Sequence, residues 1–564
     1  MKNAADGGEA IVEAFRKLGV EYILSSPGTE WTSVWEAMAD QIQQGKNGPK
    51  LMDCWHETLA VDIATGYTLV TGRMQGVLLH AGAGLLQGLM GVHGALLAGV
   101  PMVVISGESL TYGEEPGLDP GRQWVDNLSI VGGPQRLVEP LVKFASQAGS
   151  THTLFESIIR AGEMAQRVPL GPTYLSVPTE TMLDEWTPLA NGRTVPAAPI
   201  NLSTPADIEK LAGLLAKAKM PVVVAEAAGS DAECFEALVA LSESAALPVV
   251  EKPGALLANF PKDHPMHQGH DFQPYWEDSD LVIVIRTRTP WYPPSRRPPN
   301  AVVAVIDEAP HRLNMGYQSL QADMYLEGDV ASTLRALTDA VAAAGPDKAE
   351  TDARRERLAT AHDQLHEKLR GIEDEARKKT PIDPIWLCAA LGKVMPPGTS
   401  YIDEVTTHTP LLRQHIPWNE PHSLFTRQGG LGQGLGMSLG VKLARPESPV
   451  VTLIGDGAFL YNPVLQSLGA SRDFNLPILV VIFDNKKYAA MQNMHLKMYP
   501  DGTAVSTDTF HGTHINGPDY VKVVEAFGGY GERVEDPERL EEALRGGLDT
   551  VNGGRTAIID VALA

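Results

Sequence analysis

The stretch GDGAFLYNPVLQSLGASRDFNLPILVVIFDN, Gly455 to Asn485, decides how this chain is read. The apolar run PVVTLI (449–454) leads into it, and a second run, PILVVIF (477–483), carries it to Asp484 and Asn485. Both runs have the length and β-branched content of buried strands. NPVLQSLGASRDF between them is helix-prone, with Asn462 placed to cap and Pro463 at the first helical position. Strand, helix and strand in this order make a parallel βαβ unit. The predicted turn Gly455-Asp456-Gly457 and the Asp484-Asn485 pair then leave neighbouring strands on one C-terminal rim, where open parallel sheets bind ligands. Two glycines let backbone N–H groups approach an anion closely. Asp456 and Asn485 offer hard oxygen ligands suited to Mg²⁺, which keeps waters and takes phosphate oxygens. A lone GDG is also a common surface turn; the whole strand–GDG–helix–strand–DN arrangement is what points to a cation.

The same alternation runs outward through the chain. Before residue 187, helix (8–18), strand EYILSSPG and the unit 74–107 lead to the strand GPTYLSVPTE, stopped by Pro178. A Pro- and Ala-rich linker, TPLANGRTVPAAPINLSTP (187–205), precedes a second block in which ADIEKLAGLLAKA is followed by the strand PVVVAE. DKAETDARRERLATAHDQLHEKLRGIEDEARKK (347–379) is charged and helix-prone and reads as a solvated connecting helix. The expected fold class is α/β: three consecutive α/β domains, each with a mostly parallel central sheet flanked by helices. Their expected bounds are 1–187, 203–345 and 381–564, with a helical linker over 346–380. The first and third blocks share length and alternation, as a duplication would leave them.

Composition narrows the partners. The 564 residues carry 69 acidic and 46 basic side chains, a net charge of −23, which argues against nucleic acid or an anionic membrane as the main partner. The three cysteines, Cys54, Cys234 and Cys388, show no metal or disulfide spacing, and the first residues read as an amphipathic helix without a signal core, so a cytoplasmic location is expected. MQGVLLHAGAGLLQGLMGVHGALLAGVPMVVISG (74–107) lacks Asp, Glu, Lys and Arg but is broken by Gly82, Gly84 and Pro101. It reads as strand (76–80), helix (84–98) and strand (101–106) buried in a core, not as a membrane span.

The GDG stretch resembles the diphosphate motif of the thiamine diphosphate (ThDP) enzymes: GDG, a long spacer, then Asn. The resemblance covers nearly the whole chain, in the order pyrimidine-binding, central and diphosphate-binding domain, as in the pyruvate oxidase, acetolactate synthase and benzoylformate decarboxylase group. It implies that Asp456, Asn485 and the Lys487 carbonyl hold Mg²⁺ and that Gly455, Gly457 and Ala458 line the diphosphate. DEVTTHT (403–409) falls where the family contacts the diphosphate, making Thr406, Thr407 and His408 candidates. Leu431, in GGLGQGLG, matches the bulky wedge that bends the cofactor. LMDCWHETLAVDIATGY places Glu57 at the family's activating glutamate. By itself Glu57 is an ordinary helix-start carboxylate. In the family that carboxyl binds N1′ of the aminopyrimidine and favours the imino tautomer that takes the C2 proton of the thiazolium. His56 reads as structural.

The substrate side is less marked. LLHAGAG puts His80 in a glycine-rich strand end similar to a catalytic histidine of benzoylformate decarboxylases, where a buried structural histidine is the competing reading. SSPGTEW and GRQWVDN make Thr29 and Gln123 substrate-side candidates, with loop positions as the alternative. Tyr488 and Met491 are expected to face the pocket, and His93 to pack. RTRTPWYPPSRRPPN (286–300) reads either as a solvated charged loop or as a steering patch for anions. The central block lacks the flavin-type G-x-G, which speaks against FAD. The resemblance implies a ThDP- and Mg²⁺-dependent lyase or carboligase acting on a small 2-oxo acid or related carbonyl substrate. It also implies a homo-oligomer, a dimer at least and a tetramer by family habit, with Glu57 of one subunit facing the GDG site of another. The alternatives are a C–C cleaving diketone hydrolase and a non-catalytic relative. No G-x-G-x-x-G follows a strand, so a nucleotide-dependent dehydrogenase is not supported.

Overall fold

A computed structural model describes residues 5–114, 120–188 and 193–564; residues 189–192 of the expected linker lie outside them. By their contacts the residues fall into two units. One comprises residues 1–199, 427–446 and 461–476, the other 200–426, 447–460 and 477–564.

The first unit is built on six parallel strands: β1 (Tyr22–Ser25), β2 (Lys50–Asp53), β3 (Gln75–Leu79), β4 (Met102–Glu108), β5 (Phe144–Gln147) and β6 (Pro172–Pro178). Their order is β2-β1-β3-β4-β6-β5. β3, β4 and β6 are buried along their whole lengths, as expected of central parallel strands covered on both faces. The uncharged run 74–107 is β3, the helix Ala83–Ala98 and β4, and left-handed Gly99 (φ 67°) ends that helix. No helix among the described residues is long and apolar enough to cross a membrane.

The helix Glu57–Thr71 crosses the core of this unit, with every residue from Thr58 to Thr68 buried. It packs on the helix Gly434–Ala444 at backbone distance. A Cβ on Gly66 would lie 2.1 Å from the Met437 carbonyl oxygen, and one on Gly440 2.2 Å from that of Ile63. Those glycines therefore exist for close helix approach, which holds Glu57 at a rigid helix start. His56 caps the helix by accepting from the Thr58 N–H through Nδ1 at 3.2 Å, the structural role expected of it.

The second unit carries two sheets. Five parallel strands, β7 (Pro221–Ala225), β8 (Val249–Glu251), β9 (Leu281–Ile285), β10 (Val302–Asp307) and β11 (Met324–Glu327), pair in the order β11-β10-β9-β7-β8. Six more, β12 (Ser400–Glu404), β13 (Leu424–Thr426), β14 (Val450–Gly455), β15 (Leu479–Asp484), β16 (Tyr530–Val534) and β17 (Ala557–Ala562), pair in the order β13-β12-β14-β15-β17-β16. That order repeats the first sheet's strand for strand, the topological counterpart of the shared alternation of the two blocks. The architecture is three tandem α/β layers with parallel sheets.

Four local expectations are corrected. GDG is not a turn: Asp456 begins the helix Asp456–Tyr461 directly after β14. Asn462 does not cap the next helix, which starts at Val464 after Pro463; its Oδ1 accepts from the Leu435 N–H at 3.2 Å. The helix Lys348–Ala376 is not solvated all round, because Thr351, Arg354, Leu358 and His362 are buried on one face. Arg354 donates to the carbonyls of Ala246 at 3.0 Å and Ala245 at 2.9 Å, satisfying the C-terminal end of the helix Ala232–Ala245. Finally, the 286–300 segment is not simply a solvated charged loop, since three of its four arginines are ion-paired. Arg286 binds Glu308 and Asp231, Arg288 binds Glu226, and Arg297 binds Asp323.

Candidate active site

In the first unit β1 and β3 are parallel neighbours, so the loops leaving their C-terminal ends meet. His80 follows β3 and Glu30 lies in the short helix Thr29–Trp31 after β1. His80 Nδ1 is 2.9 Å from Glu30 Oε1 and 3.0 Å from Oε2, and the same Oε1 accepts the Ala81 N–H at 2.8 Å. The Glu30 side chain is wholly buried and that of His80 is 24% exposed, and the Glu30 contact leaves the imidazole's second nitrogen uncommitted to Glu30. The Glu30 hydrogen bond raises the His80 pKa above the ordinary histidine value; burial opposes this, and the charges of Glu30 and Glu57 add to it.

Glu57 belongs to the same cluster. A Cβ on Gly84 would sit 2.7 Å from Glu57 Oε1 and 2.7 Å from the His80 Cβ, so only glycine leaves both side chains where they are. Thr29 Oγ1 accepts from Gln123 Nε2 at 3.2 Å, bringing these two exposed residues together. Leu431 is 43% exposed, ahead of the helix Gly434–Ala444. Glu30 is the residue that sequence reasoning missed. SSPGTEW was read for Thr29, and nothing local marks its neighbour as buried opposite a histidine fifty residues away; only the β1–β3 pairing does.

We expect Glu30→Gln to lower the His80 pKa, because a neutral amide replaces the carboxylate that stabilises the imidazolium. An NMR titration of His80 should move to lower pH. An unmoved titration would remove Glu30 from the site.

In the second unit the C-terminal ends of β12, β14 and β15 gather the remaining residues. β14 and β15 pair with Gly455 opposite Phe483, so Asp456 and Asn485 follow neighbouring strand ends on one rim. Asp456 Oδ1 accepts the Gly457 N–H at 2.8 Å, while Oδ2 is buried without a hydrogen-bond partner. Burial and the neighbouring Asp484 carboxylate push the Asp456 pKa up to about 7. Asp484 has its own counter-ion, Arg533 at 2.8 Å. Asn485 Oδ1 accepts the Lys487 N–H at 3.1 Å. The loop that follows is clamped by the Tyr488 N–H to the Thr513 carbonyl at 2.7 Å and the Ile515 N–H to the Lys486 carbonyl at 2.9 Å. Tyr488 packs over Gly457, where a Cβ would lie 2.3 Å from its ring; Met491 is 59% exposed.

The β12 end adds Thr406, left-handed at φ 57°, then Thr407 and His408. The Val405 carbonyl lies 3.8 Å from the Cβ position of Gly455. His408 stacks on Phe483, ring centres 5.8 Å apart, and burial lowers its pKa, so it is a neutral ring at neutral pH. An all-oxygen donor set around a buried, unpartnered carboxylate oxygen fits a hard divalent cation. The adjoining Gly455–Ala458 backbone at a helix start fits the phosphates it would bridge.

Comparison with known proteins follows this geometry. Three family models match in succession: the N-terminal TPP binding domain of thiamine pyrophosphate enzymes over residues 5–130, their central domain over 208–337 and their C-terminal TPP binding domain over 404–561. Acetolactate synthase of Bacillus subtilis is 25% identical over 571 residues, covering 98% of this chain and 92% of that protein. The probable 2-ketoarginine decarboxylase of Pseudomonas aeruginosa is 26% identical over 562 residues, covering 96% and 91%. Among solved structures, the thiamine diphosphate-dependent 4-hydroxybenzoylformate decarboxylase of Rhodococcus jostii superposes with a TM-score of 0.79 at 23% identity over 99% of each chain, a likeness of fold.

Proposed function

This chain belongs to the thiamine diphosphate-dependent enzymes of the acetolactate synthase and decarboxylase group, and from that premise we propose that it acts as a lyase or carboligase on a 2-oxo acid. The observation that carries the proposal is His80 held on buried Glu30 beside Glu57. An imidazole held by a buried carboxylate next to Glu57 suits a substrate that brings a carboxylate and a polarised carbonyl.

When bound, ThDP supplies the nucleophilic carbon and the electron sink that 2-oxo acid cleavage needs. Asp456, Asn485 and the Lys487 carbonyl hold Mg²⁺. The backbone of Gly455, Gly457 and Ala458, with Thr406, Thr407 and His408, receives the diphosphate, and Leu431 and Tyr488 shape the cofactor's seat. Glu57 would hold the pyrimidine ring through its carboxyl group. His80, its Nδ1 engaged by Glu30, exchanges a proton with the substrate oxygen through Nε2, and Thr29 and Gln123 bind the substrate from the loop side.

The domain bounds that go with this proposal are 1–187, 203–345 and 381–564 around the linker 346–380. Glu57 serves the diphosphate site of a second copy, so a homodimer is the smallest active unit, with a tetramer by resemblance. The three cysteines are buried free thiols, in keeping with a reducing cytoplasm.

The test is a panel of 2-oxo acids and diketones with ThDP and Mg²⁺, read by ¹³C NMR. Release of CO₂ with an aldehyde or an acyloin-type product is the expected result. Diketone cleavage without CO₂ would replace the proposal, as would full activity in a species that sediments as a monomer.

A further inference from the structure

The helix Lys348–Ala376 carries His362 and His366 four residues apart, on one face. Their ring centres are 4.3 Å from each other. Facing them from the segment after β8 is His267, which is 3% exposed. One ring nitrogen from each of the three lies within 4.8 Å of the others.

The hydrogen bonds around these rings fix which nitrogens keep a lone pair. His362 Nδ1 is 3.0 Å from the His267 carbonyl, which can only accept. In the neutral ring that nitrogen bears the proton, and Nε2 keeps its lone pair. His267 Nε2 is 3.3 Å from Glu251 Oε1, a fully buried carboxylate, so Nε2 is the donor and Nδ1 the lone-pair atom. That Nδ1 is buried with no hydrogen-bond partner. His366 is hydrogen-bonded to the Lys262 backbone, which occupies one nitrogen and leaves the other.

A helical i, i+4 histidine pair, a third imidazole with an orphaned buried nitrogen, and a carboxylate behind that third ring form the donor set of a carboxylate–histidine–metal arrangement. We propose that His267, His362 and His366 bind a transition-metal ion, zinc by preference, with Glu251 positioning His267. Three imidazoles and a water complete a tetrahedron. Zn–N bonds of about 2.0 Å set ligand atoms about 3.4 Å apart, within a small rotamer adjustment of the spacing present here. Mg²⁺ favours oxygen and is no competitor. His366 is partly exposed and gives the ion its entry. The ion would clasp the connecting helix to the segment following β8, adding a ligand set where the His362 bond to the His267 carbonyl and the Gln268 Nε2 bond to the Leu358 carbonyl, both at 3.0 Å, already join them.

The experiment uses the full chain loaded with ThDP and Mg²⁺. Zn²⁺ is titrated against a chromophoric chelator, and the thermal unfolding midpoint is followed with and without Zn²⁺. One zinc per chain and a Zn²⁺-dependent rise in the midpoint are expected. His366→Gln, at a partly exposed position that should fold normally, should weaken zinc by roughly 100-fold or more and abolish the rise. Co²⁺ should give the visible absorption of a tetrahedral site in the wild type and not in His366→Gln. A second set, Glu251, His267 and His270, also comes within 4.8 Å, and His270 Nδ1 is likewise unpartnered. His270→Gln therefore discriminates. If it removes the zinc while His366→Gln does not, or if wild type and His366→Gln bind zinc alike, or if no saturable zinc is taken up, the proposal falls.

Discussion

Glu57→Gln should leave ThDP and Mg²⁺ bound while slowing exchange of the cofactor's C2 proton by about 10²–10⁴-fold, the usual contribution of a positioned general acid–base. Glu57 is the first residue of the helix Glu57–Thr71, and that helix is locked against Gly434–Ala444 through Gly66 and Gly440. An isosteric amide keeps this packing and keeps a hydrogen bond, but it cannot share the proton. Binding and proton transfer should therefore separate. Calorimetry should show near-wild-type ThDP affinity, and quenched H/D exchange read by NMR should show the loss. Gly84→Ala makes a useful companion, since its methyl would press on Glu57 Oε1 from 2.7 Å and displace the carboxylate without removing its charge. Wild-type exchange in Glu57→Gln would remove Glu57 from its role.

Asp456→Ala should abolish Mg²⁺-dependent ThDP binding outright, because it deletes the buried carboxylate oxygen that has no other partner. The same carboxyl makes binding pH-dependent. Its pKa is raised from 3.8 to about 7 in the cation-free chain. Below that value the carboxyl is largely protonated, and a cation must displace the proton. Cofactor affinity should thus fall roughly tenfold per unit as pH drops below about 7, with one proton released on loading. Stability runs the other way in the cation-free chain. The folded state holds this proton more tightly than the unfolded chain does, so rising pH between about 4 and about 7 costs stability, and Mg²⁺ with ThDP restores it. Titrations at about pH 6 and about pH 8, in buffers of different ionisation heat, measure both effects. Equal affinities with no proton release would mean that Asp456 is not a ligand.

The two halves of the candidate site were not equally legible. Asp456, Gly457 and Asn485 are close in sequence and joined by one βαβ unit, so the two apolar strands and the helix between them were enough to place them on one rim. Glu57 and His80 were found as isolated positions in recognisable contexts. What fixes His80 is Glu30, whose carboxylate reaches it only because β1 lies beside β3 in a sheet ordered β2-β1-β3-β4-β6-β5. The charged helix 348–376 shows the same limit. Its composition correctly indicates a helix, but composition counts charges and does not say which face is covered. Arg354 and His362 point inward because their partners, the carbonyls of Ala245, Ala246 and His267, come from elsewhere in the chain.

The sequence by itself determined the parallel α/β layers, because strand and helix periodicities and glycine punctuation are local. It also placed the candidate oxygen ligands at the strand ends, since they follow those elements directly. Tertiary structure alone decided which carboxylate charges which histidine, which basic side chains are already paired, and which three imidazoles face one another. These are contacts between residues far apart in the chain, and no local spacing encodes them.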